Sequence, residues 1–76
     1  MPTAAAVREK ALSLAEAGTP TEEAVRELLE CCEGRRVPVV LVRQQFSADL
    51  EARPSDPALS RAVEVLDLVL GRLPLE

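Results

Sequence analysis

Proline occupies positions 2, 20, 38, 54, 57 and 74 of this chain, and Pro2, Pro20, Pro38 and Pro57 recur every 18–19 residues. The ring removes a backbone N–H and collides with the preceding turn, so proline is tolerated at the first position of a helix but not in its interior. Read as four first-turn residues, these prolines divide the chain into four segments, each long enough for one helix of about 15 residues.

Apolar spacing supports a helix in each segment. From about Thr3 to Ala17, the residues Ala4, Val7, Ala11 and Leu14 form one stripe at 3-4-3 spacing, and Gly18 supplies a left-handed stop. The second segment opens with Thr19-Pro20-Thr21-Glu22, which reads as a cap at Thr19, a first-turn proline and a capping box closed by Glu22. Its stripe is Ala24, Val25, Leu28, Leu29 and Cys32, and Gly34 ends it. In the fourth segment Asp56 is the expected cap, Pro57 the first residue, and Leu59, Ala62, Val63, Leu66, Val69, Leu70 and Leu73 trace a continuous face that stops at Pro74.

The third segment is ambiguous. Val37-Pro38-Val39-Val40-Leu41-Val42 is a β-branched run that propensity alone assigns to a strand. A strand needs a partner, and the chain has no second strand-like run. Val39, Val42, Phe46 and Leu50 instead continue at 3-4-4 spacing, which favours a helix and leaves a strand over 37–42, paired between molecules, as the alternative. The expectation is an all-α fold: residues 1–76 as a single small four-helix bundle-like domain, either up-and-down or orthogonal.

With 47% apolar and 29% charged residues among 76, the chain is too hydrophobic for a disordered tail and too charged for a membrane span. Its longest apolar run, Val37 to Val42, is far below the roughly 18 residues needed to cross a bilayer. Met1-Pro2-Thr3 leads directly into an amphipathic stretch, so no signal peptide is expected. Adjacent Cys31 and Cys32 cannot bridge each other within a helix and read as free thiols. Together these features suit a cytoplasmic protein, and eight Arg against one Lys suit a bacterial one.

The residue inventory argues against most chemistry. The chain has no His, Trp or Tyr, so it lacks the usual imidazole base and the usual base-stacking platforms. Two neighbouring cysteines without histidine cannot supply the four ligands of a zinc site. Ser13, Ser47, Ser55 and Ser60 have no adjacent base. Length, acidity and helicity are shared with acyl carrier proteins, yet the Asp-Ser-Leu attachment site of that family has no counterpart. Ser47-Ala48-Asp49-Leu50 reverses the order, and Ser55-Asp56-Pro57 is a cap. No enzyme, cofactor or metal is expected.

Glu22, Glu23, Glu27, Glu30 and Glu33 read as a solvated face or as an acidic strip that could meet a basic partner. The nine basic residues are spread over all four segments of a chain with net charge −4, which argues against nucleic acid. What remains is surplus apolar surface. Ala58, Val65 and Leu68 widen the arc of segment four, and Val40 and Leu41 widen that of segment three. Either segment four is the central helix of the bundle, or these faces dock a protein.

The sequence therefore points to a non-catalytic protein-interaction or homo-oligomerisation module. Val40, Phe46, Val65 and Leu68 are its candidate contacts, and Arg43 and Arg61 its polar rim. The alternative is a small transcriptional or nucleic-acid-associated regulator, which requires Arg35, Arg36 and Arg43 to converge. A third reading, a carrier or small-ligand-binding protein, requires a cavity inside the bundle.

Overall fold

Helix α1 (Ala4–Glu16), α2 (Thr21–Cys31), α3 (Arg36–Ala52) and α4 (Pro57–Arg72) follow one another in a computed structural model that describes residues 2–74. The described residues are 78% helical and contain no strand. The β-branched run at 37–42 is helical, as the 3-4-4 spacing predicts. A strand there would leave its backbone groups unpaired, whereas a helix satisfies them internally and buries Val39, Val42 and Phe46 on one side.

Helix termini account for the segment boundaries, though not always as the prolines suggest. Only Pro57 is a first helical residue, and there the Asp56 carboxylate accepts from the N–H groups of Ala58 and Leu59. Pro38 is the third residue of α3, and Pro20 occupies the cap position of α2. All of these positions lack an intrahelical N–H partner, so the ring costs no hydrogen bond at any of them. Pro2 precedes the true cap of α1, Thr3, whose hydroxyl accepts from Ala6 N–H at 3.1 Å. The expected capping box at Thr19 and Glu22 is not formed, because α2 begins at Thr21 and has no side-chain cap. Thr19 instead closes α1: its N–H donates to Leu14 O while Gly18 N–H donates to Ala15 O, with Gly18 at φ +69. This is the paired-bond termination that a left-handed glycine permits. At the end of α2 the left-handed residue after the cap is Glu33, at φ 52, followed by Gly34 at φ +76.

The four stripes meet in one core formed by Val7, Ala11 and Leu14; Ala24, Val25, Leu28 and Cys32; Val39, Val42 and Phe46; and Leu59, Ala62, Val65, Leu66, Val69 and Leu73. Helices α1 and α4 form the central pair, each packed against the other three elements, with α2 and α3 on opposite sides of it. The consecutive helices α2 and α3 make no close backbone approach, so the bundle is not a simple ring of sequential neighbours. The wide arc of α4 gives it a face for each neighbour.

Cations tie these helices together. Arg8 of α1 donates to Gln45 at 3.0 Å and Asp49 at 2.8 Å on α3, and its guanidinium lies 4.7 Å from the Phe46 ring centre. Lys10 pairs with Glu27 at 3.0 Å, joining α1 to α2, and Arg72 pairs with Glu22 at 3.1 Å, joining α4 to α2. Such exposed pairs are each worth about 0–1 kcal/mol, so they set orientation more than stability.

Two substitutions test this account in urea titrations followed by circular dichroism. Phe46→Ala should cost about 3–5 kcal/mol, comparable with the whole stability of a domain this small, and leave the chain largely unfolded. Glu33→Gly should stabilise by about 1 kcal/mol by relieving a side chain from the left-handed region.

Candidate protein-interaction face

The six candidate contact residues do not form one surface. Phe46 is fully buried and Val65 is 4% exposed, so both belong to the core and neither can touch a partner in the folded domain. Val65 is internal because α4 is central: the side adjoining its main stripe is covered by neighbouring helices instead of solvent.

The two rim arginines are engaged within the chain. Arg43 forms a bidentate pair with Asp67 of α4 at 2.8 and 3.3 Å, and the carboxylate raises the guanidinium pKa further by hydrogen bond and charge. Arg61 donates to Thr19 O at 3.2 Å, pinning the α1–α2 turn to α4. Arg36 and Arg43, seven residues apart, share the α4-facing side of α3, where Arg36 donates to Leu70 O at 3.1 Å.

Val40 and Leu68 remain at the surface, on separate patches. Leu68 is 42% exposed on α4 among exposed Glu64, Asp67, Gly71 and Arg72. Val40 lies in an apolar groove of about 240 Å³ along the outer side of α3, lined by Arg36, Val37, Val40, Leu41 and Gln44. Val37 and Leu41 are the most exposed large apolar side chains among the described residues, at 58% and 45%. The contact residues chosen from sequence omitted both. The signal that could have found them is a second stripe on α3: Val37, Leu41, Gln44, Ala48 and Glu51 alternate by four and three, and all five are exposed.

Two further depressions lie between α1 and α2, where Cys31 faces Lys10, Glu27 and Glu30 on one side and Ala6, Glu9 and Ser13 on the other. Cys31 is half-buried and Cys32 buried, both as free thiols. Burial, reinforced by Cys32 and Glu33 and opposed by Lys10, pushes the Cys31 thiol above its ordinary pKa. That direction disfavours the thiolate a nucleophile or redox centre needs. Among the described residues no group of three or more His, Cys, Asp or Glu is placed to hold a metal ion, and no helix is long and apolar enough to cross a membrane. No buried side-chain nitrogen or oxygen among them lacks a partner, so the core has no polar group reaching for a ligand.

Comparison of the chain with protein-family profiles, with curated proteins and with solved structures gave no match.

Thiol alkylation read by mass spectrometry checks the Cys31 environment. At pH 8 the native protein should label slowly at Cys31 and not at Cys32, and urea should release both. Lys10→Gln removes the one charge that lowers the Cys31 pKa, so it should slow labelling further.

Proposed function

We propose that this chain is a non-catalytic protein-docking module whose contact surface is the outer face of α3. The observation that carries the reading is the groove at Val37, Val40 and Leu41. It is apolar, open to solvent and formed by a helix whose opposite side already packs on α1 and α4. In a domain with a marginal core, large apolar side chains left outside while every other stripe is buried have the character of a binding surface. Arg36 and Gln44 border the groove and supply the polar margin of such a surface. Leu68 belongs to a different patch bordered by charge and is not part of this face.

The test is capture from a cell extract of the host by immobilised wild-type protein and by a Val37→Ser/Leu41→Ser variant. Both positions are exposed, so the variant should keep its helical signal and lose less than about 0.5 kcal/mol of stability. Proteins retained by the wild type should be lost from the variant. Unchanged retention, or retention sensitive to Leu68→Ser instead, would move the contact surface off α3.

A further inference from the structure

Resting on the docking role of α3, we infer that the occupant of this groove is a second copy of the same chain, with the two α3 helices antiparallel. The outer stripe is self-complementary in that direction. Alternating four- and three-residue steps keep a seam of side chains facing a partner helix, and Val37, Leu41, Gln44, Ala48 and Glu51 follow that rule along all but the terminal residues of the 17-residue α3. When two such seams run antiparallel about an axis between Leu41 and Gln44, the large Val37 meets the small Ala48 of the second copy. Leu41 then packs beside Gln44 of that copy, and the two leucines flank the axis. Every layer repeats by symmetry, as a two-fold interface demands.

Charge agrees with the register. The N-terminal end of α3 carries Arg35 and Arg36, and its C-terminal end carries exposed Glu51, next to Arg53, which pairs within the chain with Asp56 at 3.7 Å. The antiparallel arrangement sets each basic end beside the acidic residue of the other copy, whereas a parallel one stacks like charges at both ends. Arg36 borders the groove from its α4 side, where its guanidinium is tied to Leu70 O, so it contributes positive charge at the margin of the seam and not a contact inside it. The seam from Val37 to Glu51 is short, about 21 Å of helix. The contact therefore falls in the class of small interfaces, under about 1,200 Å², that associate weakly and reversibly.

Sedimentation equilibrium from about 10 µM to about 1 mM tests the inference over the range of weak complexes. The weight-average mass should climb from 8.2 kDa towards twice that value. Leu41→Glu, which sets two carboxylates beside the axis, should weaken association by at least about 100-fold. Glu51→Arg, at the rim, should weaken it by about 3–10-fold, with the loss reduced at high salt. In a sample mixing 13C-labelled and unlabelled chains, intermolecular contacts should appear between the methyl groups of Val37 and Ala48. A wild-type mass that stays at 8.2 kDa to 1 mM overturns the second copy as occupant, and the capture experiment then decides the docking role independently. A dimer that survives Leu41→Glu overturns both the occupant and the α3 face. A dimer lost with Leu41→Glu but lacking the Val37–Ala48 contact overturns the antiparallel register.

Discussion

The burial of α4 between three helices is the contact on which the rest of the domain depends. Its sixteen residues place Leu59, Ala62, Val65, Leu66 and Val69 in the core, more than any other helix contributes, and α1, α2 and α3 all pack on it. A chain of this length buries only about 60% of its unfolded surface, so a helix with apolar residues over a wide arc must be central for the core to close. Helices α2 and α3 are then forced to opposite sides, where each has one face to bury and one to leave outside.

The polar surface follows from this arrangement. Cations that look dispersed along the chain become links between helices: Arg8 to α3, Lys10 and Arg72 to α2, Arg36 and Arg43 from α3 to α4. Glu22 and Glu27 of the acidic run serve as their partners, while Glu23, Glu30 and Glu33 face solvent. Beside these engaged charges, the exposed large apolar side chains among the described residues are confined to the α3 groove and the isolated Leu68.

Much of the fold is legible from residue spacing, because a helix in a small bundle buries one stripe and the stripe repeats in the sequence. The stripes of all four helices, the Asp56 cap and the left-handed stop at Gly18 are of this kind, whereas at the end of α2 Glu33 takes the left-handed position before Gly34. The candidate site was less legible. Phe46 and Val65 look like available contacts as long as the position of α4 is unknown, and Arg43 and Arg61 look like a rim as long as Asp67 and Thr19 are not known to lie beside them. Val37 was read only as part of the strand-like run around Pro38, because the number of residues before that proline that join the helix depends on where the α2 turn delivers the chain.

By itself the sequence determined the number of helices, their approximate ends and most of the apolar stripe each one buries, since these depend on periodicity, capping and proline, all local along the chain. The tertiary structure decided which helices are central, which arginines are spent on internal partners, and which apolar residues stay outside. Those outcomes depend on pairs such as Arg8 and Asp49 or Arg43 and Asp67, far apart in sequence and joined only by packing. The second stripe of α3 was written in the sequence throughout, but only the burial of the first stripe against α1 and α4 shows that the second faces outward.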